Sequence, residues 1–189
     1  MSFIQLGQWQ VRDSTGRRKY VSAAERARFL NVADGCAPEV QALFYTLAHT
    51  GCRVTEALEL TRDRIDNEAG VLVFRTLKRR KTVYRTMPVP DALIQMLLAL
   101  PGRADGRVWK THRSTAWRWV KHAMMLAQIH GPMTCPKGLR HGLGIRAAAQ
   151  KVPPNLIQKW LGHSSIATTA IYLDAVGLEE REFAARMWD

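Results

Sequence analysis

The sequence predicts an α+β domain that is mostly helical and contains one small antiparallel sheet of three strands. Three observations lead to this fold class. Apolar residues recur at helical spacing over most of the chain, whereas β-branched residues separated by turn signals fill only the stretch 64–90. Apolar residues make up 47% of the 189 residues, which is enough for one core. We divide the chain into a basic N-terminal arm (1–20), a domain (21–175) and a helical tail (176–189).

The first elements after the arm are predicted helices. Ser22 is followed three residues later by Glu25, which is the pattern of a capping box at a helix start. The segment PEVQALFYTLAHTG continues the helical pattern and ends at Gly51, and RVTEALEL adds another helical turn or two. The arm itself ends in GRRKY, and its polar, basic composition leads us to expect an extended segment.

The sheet is predicted where the period of the pattern changes. RIDNEAGVLVFRTL and TVYRTMPVP are rich in β-branched residues, with NEAG at the first turn and KRRK at the second. Four cations therefore crowd one hairpin tip. From Asp91 onward helical patterns return, in DALIQMLLAL, STAWRWVKHAMMLAQI, GLRHGLGIRAAAQK, NLIQKWLG and SSIATTAIYL. The tail follows them and places Phe183, Ala184, Met187 and Trp188 on one stripe.

The charge of the chain points to a polyanionic partner. Lys and Arg number 28 against 16 Asp and Glu, so the net charge is +12. Nucleic acid is the first expectation and an anionic membrane surface the second, while a basic but otherwise ordinary enzyme is the alternative. The cations that we expect to face DNA are Arg17, Arg18, Lys19, Arg79, Arg80, Lys81, Arg113, Arg118 and Lys121.

Cysteine usage and hydropathy indicate a cytoplasmic protein. Cys36, Cys52 and Cys135 are odd in number and widely spaced, without a CxxC or Cys/His cluster, so buried free thiols are expected rather than a zinc site. The N-terminus shows no pattern of a signal peptide, and no apolar run of 18 residues is present.

Several residues together indicate a site for phosphoryl transfer. Arg53 and Arg140 can grip the oxygens of one phosphate, and histidines at 141 and 163 can hold an oxygen or move a proton. A hairpin lysine can protonate a leaving alkoxide, and Tyr172 can attack phosphorus. Each residue alone has an ordinary explanation, since a tyrosine on a half-apolar helix usually belongs to the core. Three nearby carboxylates are not spaced for two metal ions, so a metal-dependent nuclease fits poorly: Asp63, Asp66 and Glu68.

The motifs TGCRVTEALEL, KGLRH and LGHSSIATTAIYL, in this order, resemble the boxes of the tyrosine recombinases, the phage-integrase family. The resemblance covers about residues 22–175 and implies the catalytic-domain fold of that family. It makes Arg53 and Arg140 the two catalytic arginines and Tyr172 the nucleophile. It assigns active-site positions to His141 and His163, and Glu56 would orient Arg53.

Two positions depart from the family pattern. Lys137 stands where the family usually has a histidine three residues before the second arginine. The catalytic lysine is Lys78 as first choice and Lys81 as second. The family also often has an N-terminal helical domain that completes a clamp on DNA. About 20 residues before the first helix leave no room for it, so we expect a short family member or a fragment.

The resemblance implies a site-specific DNA recombinase or integrase without cofactor, metal or ATP. Tyr172 would attack a phosphodiester to form a 3′-phosphotyrosyl link and release a 5′-hydroxyl. Four protomers would act on two double-stranded DNA sites, and the free protein would be a monomer or weak oligomer. The tail would then pack on its own domain or dock on a neighbouring protomer. The alternatives are relaxation of DNA in the manner of type IB topoisomerases and a non-catalytic DNA-binding relative.

Overall fold

The computed structural model describes residues 10–76 and 82–173, together with residues 185, 187 and 188. Within these residues the chain is mostly helical and has one small sheet, as the sequence predicts. The elements are α1 (Ala23–Asp34), α2 (Pro38–Thr50), α3 (Val54–Leu58), a 3-10 turn (Arg62–Arg64), β1 (Ile65–Asp66), β2 (Val71–Thr76), β3 (Val83–Pro88), α4 (Asp91–Ala99), α5 (Arg113–Leu126), α6 (Pro136–Ala149), α7 (Pro154–Leu161) and α8 (Ala167–Leu173).

The first two helices begin and end at residues that the sequence marks. The side chain of Ser22 accepts a hydrogen bond from the backbone N–H of Glu25, and the predicted capping box is complete. Gly35 ends α1 and Pro38 begins α2, so each of the two helical segments of the sequence forms a helix of its own. Gly51 ends α2 at φ 58°, a left-handed conformation that glycine adopts without strain. The chain turns there into the segment that carries Arg53.

The three strands form an antiparallel sheet in the order β1-β2-β3. In the register of β2 with β3, Leu72 lies opposite Met87 and Phe74 opposite Arg85. These four side chains are buried, so one face of the sheet packs on the helices. The segment 77–81, which follows Thr76 in the sequence, lies outside the described residues. Asp63 lies in the 3-10 turn just before β1.

Helix α6 packs closely against its neighbours because glycines line its contact surfaces. A Cβ atom at Gly142 would lie 2.2 Å from the carbonyl oxygen of Val21, and one at Gly138 would lie 2.0 Å from that of Met133. Both distances are far inside van der Waals contact, so no larger residue fits. Helix α6 is therefore held at a fixed depth against the segments that flank it.

The expectation of an extended N-terminal arm is wrong for its described part. An antiparallel backbone bridge joins Arg12 to Arg18, and the carboxylate of Asp13 accepts hydrogen bonds from the backbone N–H groups of Thr15 and Arg17. An aspartate that bonds the backbone two residues on stabilises a tight turn, and this signal was present in the sequence. Arg18 then bonds the carboxylate of Glu25 at 2.6 Å and fastens the turn to α1.

All three cysteines are free, but only Cys52 is buried, whereas Cys36 and Cys135 are partly exposed. Most of the tail, including Phe183 and Ala184, lies outside the described residues. Met187 and Trp188 are largely exposed. None of the described helices is both long and apolar enough to cross a membrane.

Candidate active site

The ends of four helices meet around one cleft of about 640 Å³. The segment after α2 brings Arg53, the first half of α6 brings Arg140 and His141, and the turn after α7 brings His163. Helix α8 brings Tyr172. The full lining is Cys52, Arg53, Val54, Thr55, Thr76, Arg113, Trp117, Cys135, Pro136, Lys137, Arg140, His141, Gly162, His163, Ser164, Thr168 and Tyr172.

Arg140 is buried at the floor of the cleft and ties two other motifs to α6. Its guanidinium donates to the carbonyl oxygen of Gly51 at 2.8 Å and also to that of Leu161. These carbonyls lie two residues before Arg53 and His163. Burial lowers the pKa of Arg140 to about 10, and the neighbouring charge of Arg53 acts in the same direction. The side chain still carries its charge at neutral pH.

Arg53 stands at the start of α3 and is held by Glu56. One guanidinium nitrogen of Arg53 lies 2.9 Å from Oε1 of Glu56, and its backbone N–H donates to Oε2 at 2.9 Å. The carboxylate has no solvent exposure, whereas 33% of the Arg53 side chain is exposed. The resemblance gave Glu56 this orienting place, and the contact is present.

Tyr172 is buried, and its hydroxyl forms a hydrogen bond of 2.8 Å with Nδ1 of His141. Burial, followed by the positive charges of Lys137 and Arg140, lowers the pKa of His141 to about 3. Burial raises the pKa of Tyr172 to about 12, although Arg140 acts in the opposite direction. At neutral pH the two groups are therefore an uncharged hydrogen-bonded pair.

The ring of Tyr172 lies on Gly144, a contact that the sequence reading missed. A Cβ atom at position 144 would be 2.5 Å from Cε2 of the tyrosine and 2.7 Å from Cδ2 and Cζ. Gly144 is one helical turn beyond Arg140 on α6. Because Gly144 has no side chain, the Tyr172 ring can pack directly on helix α6 near Arg140.

His163 is oriented by Thr169, a residue that the sequence reading also missed. Its Nδ1 lies 2.9 Å from Oγ1 of Thr169, and its ring stacks on that of Tyr172 with centroids 5.9 Å apart. Gly162 before it adopts φ 63° and turns the chain out of α7. The side chain of Ser165 accepts a hydrogen bond from the backbone N–H of Ala167 and caps α8.

Arg85 is the third residue that sequence reasoning missed. It lies on the core-facing side of β3, with its guanidinium 5.1 Å from the centre of the Phe74 ring. It donates to Oε2 of Glu56 at 2.8 Å and to the carbonyl oxygen of Trp160 at 2.9 Å. A basic residue at an inward position of a strand was the available signal, because such a charge requires a buried partner.

Residues 19–177 match the model of the Phage integrase family. The chain belongs to the phage integrase family. It is 28% identical over 166 residues to the tyrosine recombinase XerA of Thermococcus kodakarensis, covering 82% of this chain and 57% of that protein. The chain thus spans about half the length of the curated relatives that it matches.

Two solved structures share the fold of this integrase-family chain. A XerH site-specific recombinase in a post-cleavage complex with its difH substrate aligns with a TM-score of 0.78 at 21% identity, over 94% of this chain and 56% of that one. The catalytic domain of bacteriophage HP1 integrase aligns with a TM-score of 0.67 at 23% identity, over 82% of this chain and 86% of that one. These likenesses confirm the fold class.

The predicted DNA-facing cations fall into three groups. Arg113 lines the cleft of this integrase-family chain, while Arg118 and Lys121 are exposed on the same helix, with the Lys121 ammonium 5.6 Å from the centre of the Trp117 ring. In the arm, Arg17 and Arg18 each pair with a carboxylate, and Lys19 adds to the positive charge around His141. The hairpin cations lie outside the described residues: Lys78, Arg79, Arg80 and Lys81.

Lys137 is the remaining cation of the cleft that the sequence analysis singled out. Lys137 is exposed and lines the cleft, at the position where the family usually has histidine. Its positive charge acts on His141 one helical turn along α6. Among the residues that the structure describes, no three His, Cys, Asp or Glu side chains are grouped to hold a metal ion.

Proposed function

We propose that this chain cleaves and rejoins double-stranded DNA as a site-specific recombinase of the phage integrase family, with residues 21–175 as the catalytic unit. The observation that supports this most strongly is the convergence of Tyr172, Arg140, Arg53 and His163 on one basic cleft. Nucleophile, charge stabilisation and proton transfer are the three needs of phosphoryl transfer without a metal. The net charge of +12 supports DNA as the partner.

In the proposed reaction Arg53 and Arg140 bind the non-bridging oxygens of the scissile phosphate. The oxygen of Tyr172 forms a bond to phosphorus, the bond from phosphorus to the 5′ oxygen breaks, and a 3′-phosphotyrosyl link remains. A 5′-hydroxyl from the partner duplex reverses the step and releases the tyrosine. The phosphotyrosyl ester conserves the energy of the cleaved phosphodiester bond.

Proton movement follows from the pKa values of the buried pair. With a pKa of about 12, ionising Tyr172 at pH 7 costs about 7 kcal/mol, so the proton leaves as the bond to phosphorus forms. Nδ1 of His141 is at hydrogen-bond distance and receives it, because the negative phosphate favours a protonated imidazole. We assign protonation of the leaving 5′ oxygen to a lysine, Lys78 first and Lys81 second, with Lys137 at the cleft edge holding a phosphate oxygen.

The proposed assembly is four protomers on two DNA sites, as the family resemblance implies. The XerH structure, a recombinase bound to its difH substrate, supports double-stranded DNA as the partner of this chain as well.

A nicked suicide substrate tests the proposal. Duplexes from the locus that flanks the coding sequence, each with a nick near the candidate cleavage position, are incubated with the protein in EDTA without ATP. We expect a covalent protein–DNA adduct that survives SDS, and none with Tyr172→Phe. Relaxation of supercoiled plasmid without joining of two duplexes would favour topoisomerase-like activity. Site-specific binding without any adduct would favour a non-catalytic relative.

A further inference from the structure

We propose that Arg85 is a positioning residue for cleavage. It holds Glu56 in an orientation that leaves part of the Arg53 guanidinium available to bind the phosphate. This inference rests on the proposed function. The side chain of Arg85 is 5% exposed and does not line the 640 Å³ cleft, but it lines a smaller neighbouring cleft that shares Thr76, Gly162 and His163 with it. We assign its influence on the reaction to the groups that it contacts.

The Glu56 carboxylate is shared between the two arginines. Oε1 accepts from the Arg53 side chain at 2.9 Å, while Oε2 accepts from the Arg53 backbone at 2.9 Å and from Arg85 at 2.8 Å. The side chains of Glu56 and Arg85 are 0% and 5% exposed. A carboxylate this deeply buried needs hydrogen bonds and positive charge at both oxygens to offset its lost hydration. The Arg53 side chain provides them at Oε1, and Arg85 provides them at Oε2.

This sharing limits how Arg53 can bind the carboxylate. A guanidinium and a carboxylate pair most strongly through two parallel hydrogen bonds, which need both carboxylate oxygens. Because Arg85 occupies Oε2, Glu56 offers the Arg53 side chain only Oε1. In the part of the chain that the structure describes, Glu56 is the one hydrogen-bond partner of that side chain. The rest of the Arg53 guanidinium stays available on the cleft side.

The same residue connects three elements of the site. Nε of Arg85 donates to the carbonyl oxygen of Trp160, near the end of α7. A Cβ atom at Gly162 would lie 3.1 Å from that Nε, so the turn before His163 rests against Arg85. Arg85 therefore fixes the sheet, the start of α3 and the His163 turn relative to one another.

The test measures cleavage separately from folding and binding. The variants are Arg85→Met, Arg85→Lys, Glu56→Gln and the double variant Arg85→Met/Glu56→Gln. Arg75→Met is the matched control, because Arg75 lies on β2 with an exposed side chain. For each protein one measures Tm, Kd for the DNA site, and the single-turnover cleavage rate constant at saturating protein.

We expect Arg85→Met to lower the cleavage rate constant on the order of 10²-fold, as for a catalytic group misplaced by about 1 Å, with Kd changed less than about threefold. Arg85→Lys should recover part of the rate, because it keeps the charge. In the Glu56→Gln background the further loss on removing Arg85 should be much smaller, since its partner no longer carries charge. Arg75→Met should cleave as the wild type does.

Three results would overturn the inference while leaving the proposed function intact. One is an Arg85→Met protein that cleaves within about threefold of an active wild type. Another is an equal loss on removing Arg85 in the wild-type and the Glu56→Gln backgrounds. The third is a loss confined to Kd. If Arg85→Met does not fold, Arg85→Lys is compared in the two backgrounds with the same criteria. Absence of cleavage by the wild type is a different outcome, and it would count against the proposed function itself.

Discussion

The substitution Gly144→Ala tests the packing of the Tyr172 ring on helix α6 without altering any polar group. The new Cβ atom would lie 2.5–2.7 Å from three atoms of the Tyr172 ring, whereas ordinary contact begins at 3.4 Å. Helix α6 cannot retreat, because Gly138 and Gly142 hold it against neighbouring backbone. The ring must therefore move by about 1 Å, beyond the usual tolerance of a packed core.

The magnitude follows from two consequences of that shift. Overpacking costs about 1–3 kcal/mol, which corresponds to a Tm lower by roughly 2–12 °C for a chain of this size. A displacement of about 1 Å at a reacting atom costs on the order of 10² in rate. The 2.8 Å hydrogen bond between Tyr172 and His141 also lengthens to about 3.5 Å or more, beyond useful strength.

The assay pairs thermal unfolding with covalent adduct formation on the nicked substrate. Gly35→Ala is the control, because its Cβ atom would meet one neighbouring atom at 3.7 Å and its backbone conformation suits any residue. We expect Gly144→Ala to bind DNA but to lose stability and cleavage, and the control to lose neither. If both variants match the wild type in Tm and adduct yield, the tyrosine does not rest on Gly144.

Four further predictions follow from the charges of the chain. Arg53→Ala and Arg140→Ala should each lower the cleavage rate on the order of 10²-fold or more in single-turnover assays, with DNA binding changed far less. The free energy of unfolding should fall as pH drops from about 6.5 towards 4, because His141 and His49, with pKa values of about 3 and 4 when folded, take up protons only on unfolding. It should also fall as pH rises from 10 to about 12, because the unfolded chain loses the Tyr172 proton first. DNA affinity should decrease steeply between about 50 and 200 mM salt, as several neutralised phosphates require.

Three of these expectations have a clear contrary result. An arginine variant that cleaves at the wild-type rate would show that its guanidinium does not grip the phosphate. His141→Gln should flatten the acid limb of the stability curve, and an unchanged limb would assign the protons elsewhere. A slope near zero in a plot of log affinity against log salt concentration would remove DNA as the main partner.

Local signals in the sequence were sufficient for most elements of the fold. The capping box of Ser22 and Glu25, the left-handed glycines at 51 and 162, and the NEAG turn each act over a few residues. The geometry of each feature depends on residues that are adjacent in the sequence, so it can be predicted without knowledge of the tertiary structure. The turn at Asp13 is also local, and the basic composition of the arm obscured it.

The support of the site could not be predicted in the same way. Arg85 meets Glu56 across 29 residues, and Gly144 meets Tyr172 across the packing of α6 with α8. Thr169 reaches His163 only because the turn between α7 and α8 folds back. Motif spacing identifies groups that do chemistry, whereas the partners that orient them are chosen by packing, which a linear pattern does not contain.

The most direct test of the central claim is to locate the nucleotide on the protein. The adduct formed on the nicked substrate is digested with protease and nuclease, and the modified peptide is identified by mass spectrometry. We expect a nucleotide joined through its 3′ phosphate to the oxygen of Tyr172, with a free 5′-hydroxyl on the released strand. A nucleotide on Tyr84, whose side chain is exposed on β3, or a link through a 5′ phosphate would contradict the assignment of nucleophile and polarity.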